Sequence, residues 1–547
     1  MLLRRCSTLD LSDRLKRIRA LEGDSGGGAS TQGNVAKKSR NISWARGRDA
    51  SSSAKPSQLP CFEDLSRGLS SFEQLWQWPT SMLQSIPVSL ADHISECFQH
   101  TLHVSTHFSG MGSGETAISF LIEAFCQQHG ESPGSHLSVY HACEKDSVCQ
   151  RVLLGHAGCT RPLHLFDDIM NRINAPTRMK MTKMLAEARV LAKEQIEREG
   201  EVGVARKAKI GHQIGFTLLK SLGRQLTAKK YKRASACAVH GRLCEHQGFA
   251  GGARRQDLEG LVVNLASPMC TDFSAMNRSP QRLLGDTILT WAVWAHERRL
   301  LAEEGLGEDF IIHENVIPHP SKEMLDSVLG KHFWPAQEYA VSPNVLGFPF
   351  TRERRFTICI SRQWTLRASL GSPITLFGKA VAMMGHEYFS APEDVTHEWL
   401  KALARKKGMK QGVSARELLT PAEQGRLDGY EDWVATAPPS KPYLWDLKDT
   451  VGFKKPGVLM FGPQKHSNPW SHSHQRMMMP GERLQLMGFP VGLGSSGSHV
   501  CPFMSVWPAL STPQVASMVG NGVHLPCAGS AFLRALLLDK QVADTVN

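Results

Sequence analysis

Short apolar runs, separated by turn residues, recur through the middle of the chain. Leu102 to Phe108 reads as a strand. A glycine turn follows, and Ile118, Leu121, Ile122 and Phe125 then recur at i, i+3, i+4 and i+7, the spacing of one helix face. Gly130 stands where that helix should stop. Further strands are predicted over Leu137–Ala142, Gly260–Ala266, Asp309–Ile312 and Phe356–Ile360, with helical stretches between several of them. Strands alternating with helices predict an α/β domain on a mostly parallel sheet.

Two segments break this rhythm. Residues 171–259 are rich in Lys, Arg, Ala and Met, and Met181, Leu185, Ala188 and Ala192 mark one side of a helix predicted to end at Gly200. This segment reads as a basic insertion. Residues 366–475 have weak strand signals, several Pro and Trp, and the basic clusters Arg405-Lys406-Lys407 and Lys454-Lys455. They read as a small separate domain. Residues 1–70 have a composition too polar to bury a core. Within them, Leu2 to Leu21 is Arg-rich with spaced Leu and could form a basic amphipathic helix: a transit peptide, a nuclear signal or a nucleic-acid arm. The chain thus divides into 1–70, 71–365, 366–475 and 476–540.

Composition adds a partner class. Over 547 residues the net charge is +12, which favours an acidic partner such as nucleic acid. The 13 Cys are scattered and read as thiols, metal ligands or a catalytic residue. No apolar run approaches the ~20 residues that cross a bilayer, so no membrane partner is expected.

The chemistry concentrates at strand ends. Phe108-Ser109-Gly110-Met111-Gly112-Ser113-Gly114 is a glycine turn between strand and helix, where backbone can approach a ligand. Glu144 ends the second strand and could accept from ribose hydroxyls. Asp168 follows a third apolar stretch and could accept from an adenine amine or cap a helix. Ser267-Pro268-Met269-Cys270 puts a thiol on the loop after the next strand, where it can serve as a nucleophile. Glu314 ends another strand, and Arg352 and Arg354 enter the last one. Separately, Cys237, His240, Cys244 and His246 offer four zinc-type ligands in the spacing Cys-x2-His-x3-Cys-x-His.

These residues fall in six segments: Phe108–Ser113, Cys270–Ser274, Glu314–Val316, Phe350–Arg354, Met479–Pro490 and Gly520–Val523. In kind and order they resemble the cytosine-C5 methyltransferase family, which has a Phe-x-Gly-x-Gly turn, a Pro-Cys loop, Glu-Asn-Val, Gln-x-Arg-x-Arg, Glu…Gly-Phe-Pro and a terminal Gly-Asn. Three positions depart: Met269 separates Pro268 from Cys270, Thr271 replaces a Gln, and Phe350 stands where the family has Gln.

The resemblance implies a Rossmann-like class I methyltransferase domain, built from 71–365 and 476–540, with 366–475 as a target-recognition domain. It implies S-adenosylmethionine over the Gly110–Gly112 turn, with Phe108, Ser109, Met111, Glu144, Asp168, Asn521 and Val523 around it. Cys270 would attack C6 of a flipped cytosine, Glu314 would bind its N3 edge, Arg352 would steady the base and Glu314, and Arg354 would help hold the anionic surroundings. The substrate expected is DNA. RNA, or silent nucleic-acid binding, are the alternatives, the latter suggested by Met269 and Phe350. The expected location is the nucleus, or an organelle if the N-terminus is a transit peptide.

Overall fold

Nine strands form one sheet in the computed structural model: Leu102–His107 (β1), Leu137–Cys143 (β2), His164–Phe166 (β3), Ala234–Cys237 (β4), Arg242–Glu245 (β5), Val262–Ala266 (β6), Phe310–Asn315 (β7), Phe333–Val341 (β8) and Arg354–Ser361 (β9). Their order is β5-β4-β3-β2-β1-β6-β7-β9-β8. The structure describes residues 68–133, 136–200, 202–246, 259–274, 277, 279–366, 371–410, 412–436, 441–451, 457–492 and 499–540. The helix expected over Leu2 to Leu21 and the pair Lys454-Lys455 lie outside these residues.

The five central strands, β3, β2, β1, β6 and β7, are parallel, and β9 runs antiparallel between β7 and β8. A parallel sheet buries both faces, so its strands are apolar on both sides. On β7, Phe310 and Ile312 enter one core and Ile311 the other. The sequence gives no clear sign of β8, because Pro335, Gln337 and Glu338 interrupt its apolar run. Its edge position explains them, since Pro and half-exposed polar residues are tolerated on an edge strand.

Helices cover both faces. Ser113–His129 (α1) buries its predicted stripe, Ile118, Leu121, Ile122 and Phe125, against the same core as Phe532 and Leu533 of the C-terminal helix Leu525–Leu536. Gly130 ends α1 in a left-handed conformation, as expected of a glycine C-cap. Ala175–Arg198 (α2), Val204–Gln225 (α3) and Thr287–Glu303 (α4) cover the other face, with Met181, Leu185, Ala188 and Ala192 buried as the sequence predicts. Segment 171–259 is therefore woven into the fold: its helices complete the second core and its hairpin β4–β5 extends the sheet. Between 366 and 475, helices Glu393–Lys406 (α5) and Pro421–Thr436 (α6) pack with short strands around Leu427, Tyr430, Trp445 and Trp470. α6 buries only Glu423, Leu427 and Tyr430, too narrow a stripe to stand out in the sequence.

From β1 the chain steps out to β2 and β3, then returns to place β6 on β1's other side. This is a doubly wound, Rossmann-like arrangement, and β1/β6 is its switch point. Ligands in such sheets bind in the crevice beyond the carboxyl ends of these strands.

Candidate functional site

A narrow cleft of about 520 Å³, counting its open mouth, lies at that switch point. Phe108, Ser109, Gly110, Ser113 and Glu115 line one side, and Ser267, Glu314, Asn521, Gly522 and Val523 the other. The turn after β1 is tightly bent. Phe108, Gly110 and Gly112 have φ of 56°, 57° and 82°. A left-handed phenylalanine is uncommon and such backbone clusters at functional sites. Met111 is fully buried behind the turn, its methyl close beneath Gly522.

The Glu144 carboxylate accepts from the N–H of Gly110 and the N–H of Asp146, each at 2.7 Å. It thereby couples the end of β2 to the glycine turn, and burial pushes its pKa up. Asp168 lies at the end of β3. One oxygen accepts from the N–H of Met170 at 2.9 Å, capping a short helical turn, and the other lies 3.4 Å from Lys145 Nζ. Of the two roles open to Asp168 in the sequence, capping is therefore the one displayed.

Opposite, Asn315 at the end of β7 donates from Nδ2 to the carbonyl of Pro268 at 3.1 Å. This bond ties the Glu-Asn-Val segment to the loop that carries Cys270. The loop's far side is fixed by Asp272, whose carboxylate accepts from Thr287 Oγ1 at 2.6 Å and Thr287 N–H at 3.1 Å at the start of α4. Cys270 is half-buried while Met269 is exposed, so Met269 points its side chain outward from the loop. Burial raises the Cys270 thiol pKa, the Arg354 guanidinium opposes that rise, Glu314 adds to it and Arg352 opposes it. Burial likewise raises Glu314, against the pull of Arg354 and then Arg352.

The arginines divide their work differently from the expectation. Arg354 Nε, not Arg352, contacts Glu314, at 3.1 Å from Oε1. Arg352 is buried and donates to the carbonyls of Pro463, Gly520 and Gly522 at 3.0, 2.9 and 2.8 Å. Strand alternation would put residues 352 and 354 on one face, but Arg352 lies in the irregular break after Phe350–Thr351 and Arg354 opens β9, so the two side chains are free to diverge. Arg352 thus positions the Asn521–Val523 wall of the cleft. Phe350 is fully buried against the His524 ring at 5.5 Å, so the residue standing in place of the family's Gln is a packing residue.

Two features were not anticipated. Glu115, in the first turn of α1, is buried with Oε1 2.5 Å from Thr106 Oγ1, and burial lifts its pKa to about 7. Its only sequence signal was an acid just after a glycine turn. Beneath the switch point lies a buried polar layer. Arg172 and Arg298 each donate to Glu297 Oε2 at 2.6 Å, and Arg298 also reaches Glu308 at 2.5 Å. His107 touches this layer through Arg172 at 3.2 Å and Asn264 at 2.9 Å.

The expected ligand set needs one correction. Cys237, His240 and Cys244 do converge, but the fourth member is His164 of β3, not His246. His246 lies one pleat repeat beyond Cys244. Same-face residues of a strand stand nearly 7 Å apart, and its ring faces Glu297 at 3.6 Å instead.

No protein-family model matches the chain, and no curated protein does. Solved structures give matches of low score. A protein described as a DNA modification methyltransferase, encoded within an E. coli prophage, matches at 13% identity and a TM-score of 0.38, covering 80% of this chain and 98% of that one. A mutant DNMT2 of Spodoptera frugiperda matches at 13% and 0.36, covering 80% and 99%. The Entamoeba histolytica methyltransferase EhMeth matches at 10% and 0.35, covering 80% and 98%.

Proposed function

We propose that this chain takes a methyl group from S-adenosylmethionine and places it on C5 of cytosine in DNA, through a covalent bond to Cys270. The observation that carries this reading is the Asn315–Pro268 hydrogen bond. It makes the acid end of β7 and the thiol loop after β6 two walls of one crevice, which the glycine turn also faces. Of the six segments, Phe108–Ser113, Glu314–Val316 and Gly520–Val523 contribute lining residues to the cleft, and the Cys270 loop and Arg354 are joined to Glu314–Val316 through Asn315 and Glu314.

The cleft suits the donor. Its lining mixes the glycine turn with the polar groups of Ser109, Glu314 and Asn521. Gly112, the N-cap of α1, has no side chain to cap the helix, which leaves that N-terminus open to a ligand carboxylate. Ser113 Oγ is buried there without a hydrogen-bond partner. Glu144 and Phe108 offer an acceptor and an aromatic face for the nucleoside. When bound, S-adenosylmethionine supplies an electrophilic methyl group on a sulfonium.

The chain's own residues would do the rest. A cytosine flipped from its stack reaches the crevice. Cys270 thiolate adds to C6, and the electron pair moves to C5. Glu314, which burial favours in its protonated form, donates a proton toward ring N3 and so makes C6 more electrophilic. Arg354 fixes the orientation of Glu314. After methylation at C5, loss of the C5 proton and elimination of the Cys270 thiolate restore the aromatic ring. The net charge of +12 and the exposed Arg405 and Lys406 at the end of α5 suit a polyanion, with residues 366–475 as the target-recognition domain.

The test is trapping. Full-length protein is incubated with S-adenosylmethionine and a duplex carrying 5-fluorocytosine, whose fluorine cannot leave as a proton does. A denaturant-resistant adduct that Cys270→Ser abolishes is expected. Absence of an adduct on DNA would refute the DNA reading, and an adduct on RNA alone would transfer the chemistry to RNA.

A further inference from the structure

We infer that His164, Cys237, His240 and Cys244 form a tetrahedral zinc site that staples the β4–β5 hairpin to the edge of the central sheet. The inference is independent of the methyl-transfer reading.

The backbone first explains why these four meet. Phe166 of β3 pairs with Cys237 of β4, so His164, two residues before Phe166, shares a face with Cys237. Across the hairpin, Cys237 pairs with Arg242 and Ser235 with Cys244, which puts the two thiols diagonally on that same face. The turn between the strands carries Gly241 at φ 62°, and His240 folds back over both thiols. Its Nδ1 lies 3.4 Å from Cys237 Sγ and 3.4 Å from Cys244 Sγ, while His164 Nδ1 lies 3.8 Å from Cys237 Sγ. All four ligand atoms fall within 4.8 Å of one another.

These separations are those of a coordination shell. Zn–S bonds of about 2.3 Å and Zn–N bonds of about 2.0–2.1 Å at tetrahedral angles put neighbouring ligand atoms roughly 3.3–3.8 Å apart. Two thiolates and two imidazoles select zinc over the oxygen-seeking Mg²⁺ and Ca²⁺. Four protein ligands leave no open coordination position, so the site is structural. It has work to do, because a single registered pair joins β4 to β3. Without a further link the hairpin would close the sheet edge through little backbone pairing. The metal also fixes β3 four residues before Asp168.

The experiment uses the full-length chain, purified under reducing conditions without chelator, reconstituted with excess Zn²⁺ and desalted. Elemental analysis is expected to find one zinc per chain. Co²⁺ in its place should give the intense visible absorption of a tetrahedral cobalt–thiolate centre. His164→Ala should lose the metal, whereas His246→Ala should keep it. The wild-type measurements stand even if His164→Ala fails to fold. A reconstituted wild-type chain without stoichiometric zinc, an octahedral cobalt spectrum, or metal lost in His246→Ala but kept in His164→Ala would overturn the assignment.

Discussion

Gly112→Ala tests how closely the chain is packed behind the glycine turn. Gly112 holds φ at 82°, a conformation that costs a residue bearing a Cβ about 1–2 kcal/mol. Its added methyl would also lie 2.4 Å from Cε1 and 2.9 Å from Nε2 of His156. That ring cannot swing away freely. It is buried, stacks on Phe503 at 5.6 Å, and donates from Nε2 to the Met111 carbonyl at 3.1 Å. Displacing it leaves a buried carbonyl unpaired, which costs about 1–3 kcal/mol. The expected total is about 2–5 kcal/mol. Gly110→Ala is the internal control: φ is 57° there, but nothing lies within 4 Å of the new methyl, so only the conformational cost applies. Urea unfolding of both variants, alone and with His156→Ala, forms a double-mutant cycle. In the His156→Ala background the Gly112→Ala cost should fall to about that of Gly110→Ala. Equal costs for the two glycine variants in the wild-type background would refute the close approach to His156.

Two further outcomes follow from the buried charges. Glu297→Gln removes the carboxylate that Arg172 and Arg298 share, leaving a buried guanidinium uncompensated, and should cost about 3–5 kcal/mol in urea unfolding; a loss under about 1 kcal/mol would show that the layer contributes little. Burial also depresses His107, His296 and His313 to about 3 and His156 to about 4. Below about 6.5 the unfolded chain therefore binds more protons than the folded one, and stability should fall as pH drops from there toward 3. Glu115, raised to about 7, and the likewise raised Glu144, Glu308 and Glu314 act in the opposite sense, but His141, His246, His319 and His524 are also depressed by burial and add to the loss. Melting temperatures flat between pH 7 and pH 4 would contradict the neutral buried imidazoles.

The β1 and β2 strands, the α1 stripe and the order of the six motif segments are legible from sequence because they are local. An apolar period of two or about 3.6, and a glycine between strand and helix, encode themselves within a dozen residues. The candidate nucleophile Cys270, the acid Glu314 and the Gly110–Gly112 turn could be named for that reason. Partnership was not legible. Which arginine meets Glu314 depends on where the chain breaks before β9, since Arg354 opens that strand while Arg352 precedes it and is held by carbonyls more than 100 residues away. His164 joins the thiols of the β4–β5 hairpin, and His246 leaves them, because strands over 70 residues apart settle into one register. The charged layer under β1 is hidden for the same reason, since Arg172, Glu297 and Glu308 look like ordinary surface residues until the sheet and α4 enclose them. The sequence by itself determined which chemical groups stand at the ends of which elements. The tertiary structure decided which of them touch, because register and burial are properties of distant segments packed together.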